Sequence, residues 1–301
     1  MPVNLIAILG PTASGKTRLA VRLALEFNGE IISADSRQVY RQMNIGTGKD
    51  LEDYEINGTQ IPYHLIDIVE PDEEFNVFEF RRYFYRAFNG IIGKNKFPFM
   101  VGGSGLYLSS ILQKYDLKKV EFNSARAEEL KHLDSERLKK ILLSKKKVVH
   151  NKTDLLDKER IIRAIIVAEA EPGEIENIPV LNAVVIGIKA ERDVIKNRIT
   201  ERLKKRLNTG MIEEVEEMIK SGITHEKLNF FGLEYRYTGL YIRGELSYND
   251  MFQKLNSAIY NFAKRQMTWF RKMEREGVNI NWIETSEFIK AIQVIEENLN
   301  A

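Results

Sequence analysis

"ILGPTASGKT" (residues 8–17) joins an apolar run, "VNLIAIL" (3–9), to a stretch of helical spacing, "KTRLAVRLALEF" (16–27), in which Leu19, Leu23 and Phe27 share a face. Consecutive apolar residues before a glycine are the pattern of a parallel strand buried on both faces. Between strand and helix, Gly10, Pro11, Thr12, Ala13, Ser14, Gly15, Lys16 and Thr17 fit G-x-x-x-x-G-K-[ST]. The glycines let backbone N–H groups converge on phosphate oxygens, and the helix that follows points its positive end at the same place. Lys16 adds a mobile positive charge, and the Thr17 hydroxyl is placed to ligate Mg²⁺. The motif predicts a phosphate cradle without naming the molecule that carries the phosphate.

The alternation continues outward from that loop. "EIISAD" (30–35), "YHLIDIV" (63–69) and "FPFMV" (97–101) read as further strands. Asn76 and Glu79 form a possible capping box that opens the helix "VFEFRRYFYRAFNGII" (77–92). Strand, loop and helix in alternation predict an α/β, doubly wound sheet. Residues 115–155 break the pattern. They are Lys-rich, lack Gly and Pro, and read as short helices such as "SARAEELKHL" and "SERLKKILL", a helical insertion. "DKERIIRAIIVAEA" (157–170) is an amphipathic helix leading back, and "PVLNAVVIGIK" (179–189) returns to a buried strand. Helices over 191–208, 211–222 and about 249–272, a last strand "NINWIE" (279–284) and a closing helix follow. The expected organisation is a core in two parts, 1–114 and 156–301, with the insertion at 115–155.

Composition narrows the class. The chain has 301 residues, of which 44% are hydrophobic and 29% charged, enough to bury a substantial core. No apolar run approaches the ~20 residues of a membrane span. The start of the chain reads as a core strand rather than an export signal. Cysteine is absent, which excludes a disulfide framework, a thiolate metal site and a catalytic thiol. A soluble, cytoplasmic protein is the expectation. The net charge is only +2, but residues 196–276 hold 16 Lys/Arg against 11 Asp/Glu, interleaved with Tyr, Phe and Trp. That is a weak footprint of a phosphate-rich partner, and solvated helix faces would give the same count.

Several residues are candidates for chemistry. The second strand ends in Asp35, Ser36, Arg37 and Gln38, and the carboxyl ends of strands in such a sheet line the active crevice. Asp35 suits a metal-holding acid or a proton acceptor, and equally a helix cap. "GGSGLY" (102–107) offers close backbone approach and the Ser104 hydroxyl, or an ordinary turn. Arg160 and Arg163 lie three apart on one helix; Arg198, Arg202 and Arg206 recur every four residues on another. Such a stripe clamps an anion bidentately or faces solvent. "AKRQMTWFR" (263–271) mixes cations with aromatics, and its Trp269/Phe270 pair would equally face a core.

In order, "GPTASGKT", "EIISADSRQVYRQMNIGTGK", "PYHLIDI", "VGGSGLYL", "ERIIRA" and "AKRQMTWFR" resemble the tRNA dimethylallyltransferase (tRNA isopentenyltransferase) family over nearly the whole chain, apart from about 115–150. The pairing of "SADSRQVY" with "NIGTGK" is the specific part. The resemblance implies a P-loop NTPase-like parallel sheet flanked by helices, with a small helical insertion. It implies transfer of a dimethylallyl group from dimethylallyl diphosphate to the exocyclic amine of the adenosine beside the anticodon, position 37 of the tRNA. The loop would then cradle a prenyl diphosphate rather than ATP, with Mg²⁺ as cofactor and the anticodon stem-loop as partner.

Carried over by position, the resemblance makes Asp35 the base on the target amine, Thr12 a neighbour of that amine, and Lys16 and Thr17 the holders of diphosphate and Mg²⁺. Arg198 and Arg202 fall in the helix that supplies cations near the diphosphate. Asp35, Ser36, Arg37, Gln38 and Ser104 match segments that contact tRNA, as do Glu159, Arg160, Ile161, Ile162 and Arg163. So do Tyr235 and Arg236. Ser104 stands where the family more often has Thr, and Glu234 falls on a family glycine. The insertion is short, and no C-terminal zinc finger follows. A monomer is expected. The competing activities are a P-loop small-molecule kinase, an isopentenyltransferase on free AMP or ADP, and a non-catalytic RNA-binding protein.

Overall fold

The computed structural model describes residues 2–113, 125–145, 158–170 and 178–300. The chain divides into two compact units, Met1–Lys114 with Pro179–Ala301, and Tyr115–Ile178. In chain order, the first unit's strands are β1 (Leu5–Leu9), β2 (Gly29–Ala34), a short hairpin of β3 (Glu55–Ile56) and β4 (Thr59–Gln60), β5 (Tyr63–His64), β6 (Phe97–Gly102), β7 (Ala183–Lys189) and β8 (Ile280–Glu284). Six of them form one parallel sheet in the order β5-β2-β6-β1-β7-β8. Every residue of β1 and β2 is buried, which is why "LIAIL" reads as continuously apolar. Glu30 is the exception in composition. Burial raises its carboxyl, but hydrogen bonds from His64, Lys96 and Lys94 outweigh that and hold it at about 2.

Helices α1 (Lys16–Glu26), α2 (Val77–Ile92) and α3 (Gly105–Leu112) connect these strands. Asn76 caps α2, its side chain accepting from the N–H of Phe78 and of Glu79. The expected third strand over 63–69 is much shorter. Leu65 and Asp67 adopt φ of 64° and 55°, which ends the ladder after His64. The chain touches strand geometry again only at the Tyr40–Val69 bridge. The turn brings the Asp67 carboxylate to the buried Lys49 ammonium.

The second unit contains α4 (Ala125–Lys131), α5 (Ser135–Lys145) and α6 (Lys158–Glu169). Ile161, Ile162, Ile165 and Ile166 of α6 pack with Ala127, Leu130, Leu138 and Leu142 into one apolar cluster. Helix α6 thus completes the insertion rather than starting the returning core, and the boundary drawn at 155 moves to 178.

Back in the first unit come α7 (Arg192–Asn208), α8 (Met211–Lys220), α9 (His225–Phe231), α10 (Leu233–Ile242), α11 (Tyr248–Arg275) and α12 (Phe288–Leu299). Ile195, Ile199, Leu203 and Leu207 form a stripe on α7 that packs against Met251, Leu255 and Ile259 of α11. Arg198, Arg202 and Arg206 each precede a member of that stripe by one residue, so burying the stripe turns the arginines along its edge.

Candidate functional site

The carboxyl ends of β1, β2 and β6 open onto a cavity of about 1030 Å³. Thr12, Ala13, Gly15, Lys16 and Thr17 line it. Ser14 N–H bonds the Pro11 carbonyl at 3.3 Å, and Lys16 Nζ folds back to the same carbonyl at 3.4 Å. Gly15 sits at φ +83°, where a side chain is strained, and an added Cβ would lie 2.9 Å from Thr285 Cγ2. Helix α1 starts directly after it with no acid in its first turn, which leaves its positive end open to an anion. The Lys16 ammonium is pushed down to about 8, mainly by burial; Asp35 opposes the shift and Arg202 adds to it.

Asp35 is half-buried on the adjacent wall, its Oδ1 accepting the Arg37 N–H at 2.9 Å. It caps a turn rather than a helix, the alternative reading of its sequence, and it lines the cavity. Ser104 accepts the Ser36 N–H at 3.0 Å, tying the β6 loop to the β2 loop. Ser33 donates to Gln38 at 3.1 Å, and Gln38 donates to the Gly48 carbonyl at 3.0 Å. Arg37 lays its guanidinium 4.8 Å from the Phe230 ring centroid.

Two residues that sequence reasoning did not single out hold these loops together. Gln266 of α11 accepts the Thr12 N–H at 2.8 Å and donates to the Gly103 carbonyl at 2.9 Å, strapping the phosphate loop to the "GGSG" turn. Its signal was a polar amide in the apolar stripe of α11, between Ala263 and Phe270. Glu214 of α8 accepts the N–H groups of Asn44, Ile45 and Gly46 at 2.8, 2.7 and 3.0 Å, and the Tyr235 hydroxyl at 2.7 Å. It fixes the "NIGTG" turn (44–48) as one cavity wall.

The α7 arginines differ along their stripe. Arg198 is exposed at the cavity edge. Arg202 is half-buried and hydrogen-bonds the Thr12 hydroxyl, so it reaches the phosphate loop. Burial first, and Arg206 second, push its guanidinium down to about 9, with Glu234, Asp50 and Asp35 opposing. Arg206 is buried beside Gly46 and Gly48 and faces Glu234 at 3.7 Å.

Thr12, Ala13, Gly15, Lys16, Thr17, Asp35, Ser36, Arg37, Gln38, Ser104, Arg198, Arg202 and Tyr235 therefore share one cavity. Gly10, Pro11 and Ser14 shape the loop behind it. Tyr235 is nearly fully buried and its hydroxyl is spent on Glu214, so it anchors the wall rather than offering a free contact. Arg236 is exposed, beside Tyr237 and outside the cavity lining. Glu159–Arg163 lies in the second unit. There Glu159 and Arg163 pair at 3.1 Å on the exposed face of α6, whereas Ile161 and Ile162 are buried among the helices and their side chains are packing residues.

Mg²⁺ fits this donor set in one way. Thr17 and Asp35 both line the cavity, but among the described residues no group of three or more His, Cys, Asp or Glu is placed to hold a metal. No helix among the described residues is long and apolar enough to cross a membrane.

A family model described as "IPP transferase" matches residues 38–273, and one described as "Isopentenyl transferase" matches residues 3–67. The curated "tRNA dimethylallyltransferase 1" of Syntrophus aciditrophicus is 50% identical over 305 residues, covering 100% of each chain. The protein of the same description from Geotalea uraniireducens is 54% identical over 285 residues, 94% of this chain and 93% of that one. Among solved structures, the full-length tRNA isopentenylpyrophosphate transferase of Bacillus halodurans superposes with a TM-score of 0.72 at 29% identity, covering 99% of this chain and 97% of that one. A eukaryotic dimethylallyltransferase acting on tRNA shares the fold, with a TM-score of 0.75 at 21% identity over 95% of this chain and 75% of that one. With a model spanning most of its length and relatives half identical from end to end, the chain belongs to the IPP transferase family.

Proposed function

We propose that this protein transfers the dimethylallyl group of dimethylallyl diphosphate to the exocyclic amine of the adenosine at tRNA position 37, releasing diphosphate. The observation that carries the reading is that Asp35 lines one cavity with Thr12, Ala13, Gly15, Lys16 and Thr17 of the loop and with Arg202, a set that we read as a base beside a diphosphate cradle. The relatives' descriptions as tRNA dimethylallyltransferases support the substrate pair.

The step balances simply. The adenosine amine nitrogen attacks the allylic carbon, the carbon–oxygen bond to diphosphate breaks, and the bonding pair leaves with the diphosphate oxygen. The amine gives up one proton, which Asp35 takes as general base. Negative charge builds on the leaving group as the bond stretches. On this reading the start of α1, Lys16 and Arg202 supply the positive charge that stabilises the leaving group, Lys16 and Arg202 exchanging their contacts with the Pro11 carbonyl and the Thr12 hydroxyl for phosphate oxygens. Thr12 links the two halves, bonded through its hydroxyl to Arg202 and through its N–H to Gln266. The Thr17 hydroxyl would hold Mg²⁺ on the diphosphate, where the ion supplies further neutralisation of the leaving group. The adenosine must leave its stack to enter the cavity, at a cost of about a few kcal/mol, least in a single-stranded loop. An anticodon loop meets that condition. We expect a monomer working in the cytoplasm.

The test combines purified protein, Mg²⁺ and labelled dimethylallyl diphosphate with unmodified tRNA or with AMP. Label on tRNA is expected. Label on AMP alone, or hydrolysis of ATP without transfer, would overturn the reading. Asp35→Ala should lower transfer by about 10² to 10⁴-fold while tRNA still binds; wild-type turnover in that variant would remove Asp35 as the base.

A further inference from the structure

Arg206 is unexplained by the diphosphate cradle. It is 7% exposed and lines the cavity, yet its Nε has no hydrogen-bond partner among the described residues. Its other contacts are long: Nη1 reaches the Gly46 carbonyl at 3.5 Å and Glu234 at 3.7 Å. A guanidinium offers five donors in a fixed fork, and burying that charge half-satisfied is costly. The backbone nonetheless makes room for it. Gly48 stands at φ +66°, and a Cβ there would lie 1.7 Å from Nη2, so any side chain at that position would displace the arginine. The arginine is accommodated deliberately and left with donors to spare.

Its position says what those donors face. Arg202 reaches the phosphate loop through Thr12. Arg206 follows one helical turn later, about 6 Å further along the axis. It lies against the 46–48 turn and Glu234 rather than against residues 10–17. On the function proposed above, the prenyl diphosphate fills the part of the cavity lined by the loop, which leaves the part lined by the 46–48 turn, Arg206 and Glu234 to the nucleotide. A base drawn into the cavity brings its ribose and an adjoining phosphate with it. That phosphate loses water on entry and needs a cation that presents two parallel donors.

We propose that Arg206 receives a backbone phosphate of the flipped nucleotide, and that Glu234 is its resident counter-ion. This rests on the tRNA-transfer reading. Glu234 at 3.7 Å keeps the buried guanidinium partly neutralised and aligned, but does not occupy its fork. The phosphate then competes with one loose carboxylate contact. Arg206 is a substrate-binding residue on this view, and Glu234 a positioning residue acting through it. A phosphate of the prenyl diphosphate would offer the same oxygens, so the test separates the two sources.

The experiment measures dimethylallyl transfer to an unmodified anticodon stem-loop, and inhibition by inorganic diphosphate, for wild type, R206M, R206K, E234Q and R206M/E234Q. R206M should raise KM for the RNA about tenfold, the loss of one charge-assisted contact. Its log–log salt dependence should flatten by roughly one, the share of one phosphate contact. Inhibition by diphosphate should change less than about twofold. R206K keeps the charge and loses the fork, so KM should rise about threefold with the salt slope unchanged. E234Q should lower KM about threefold in the wild-type background and leave it unchanged in R206M, because the carboxylate acts through Arg206. If R206M fails to fold, R206K and E234Q still decide. Weakened diphosphate inhibition with an unchanged RNA KM would assign Arg206 to the leaving-group cradle and overturn the proposal. An E234Q benefit equal in both backgrounds, or unchanged RNA KM in R206K and R206M, would also overturn it. A wild-type protein that labels no RNA would overturn the function reading along with it, whereas normal wild-type transfer confines any failure to Arg206.

Discussion

Helices α6 and α7 carry arginines at nearly the same spacing and put them to different use. On α6, Arg163 pairs with Glu159 at 3.1 Å, with Glu159 largely in water and Arg163 half-buried. On α7, Arg202 bonds the phosphate loop and Arg206 is buried against a backbone turn. Periodic charge does not separate the two cases, because both helices are amphipathic. What separates them is where the apolar stripe points. The α6 stripe buries Ile161 and Ile165 within its own three-helix unit and leaves the arginines outside. The α7 stripe packs on α11, and the arginines along its edge fall where the strand-end loops converge.

The comparison breaks most easily at Arg202. On the proposed function Arg202→Ala removes a cation at the point where charge develops, and kcat/KM should fall about 10³-fold, or about 4 kcal/mol. Steady-state transfer assays check this. A loss under about fivefold would mean that the α7 stripe is as solvated as that of α6. The reverse test falls on the apolar face of α6. Ile161→Ala should destabilise the insertion by about 3 kcal/mol. Hydrogen exchange over Ala125–Glu169 should speed up, while inhibition by diphosphate stays at the wild-type level. Unchanged exchange would deny Ile161 its packing role and reopen a direct part in tRNA contact.

A third measurement turns on pH. Burial holds Lys16 at about 8, below the ordinary lysine value near 10.4. The group is charged below that pH, where the proposed function has it grip diphosphate, and becomes neutral above it. The value of kcat/KM for dimethylallyl diphosphate should therefore fall about tenfold per unit above pH 8, or ~1.4 kcal/mol. Lys16→Arg should move that limb upward even if its absolute rate is lower. A wild-type profile flat from pH 7 to 9.5 would exclude Lys16 as the titrating cation.

The legible part of this protein was its local part. The phosphate loop, the buried strands, Asp35 at a strand end and the capped start of α2 are each set by residues within about ten positions of one another. The strand expected over 63–69 failed because two residues turn left-handed to deliver Asp67 to Lys49, 18 positions away. Gln266 reaches Thr12 across 254 positions, and Glu214 reaches Asn44 across 170. No window reveals such contacts; a polar residue in an apolar stripe was the one local trace, and only for Gln266. Tyr235 was legible as a motif but not as an anchor, since its role depends on Glu214.

The smallest expected effect is the one that most sharpens the contrast. Arg163→Ala breaks an i,i+4 pair with Glu159, a kind of contact worth about 0.3–0.5 kcal/mol, so the loss of that pair alone should barely move the melting temperature. If the exposed face of α6 meets tRNA phosphates, the same change should raise KM for tRNA about threefold and reduce the salt slope by roughly one. It should leave kcat untouched, because a contact with tRNA phosphates acts on binding alone. Arg202→Ala should do the opposite, costing kcat with little change in salt slope, since the proposed function sets it on the leaving group and not on RNA. Steady-state transfer at several salt concentrations therefore sorts the two helices by kind of effect as well as by size. An Arg163→Ala variant that loses kcat would show that α6 does more than hold RNA, and the distinction between the helices would have to be redrawn.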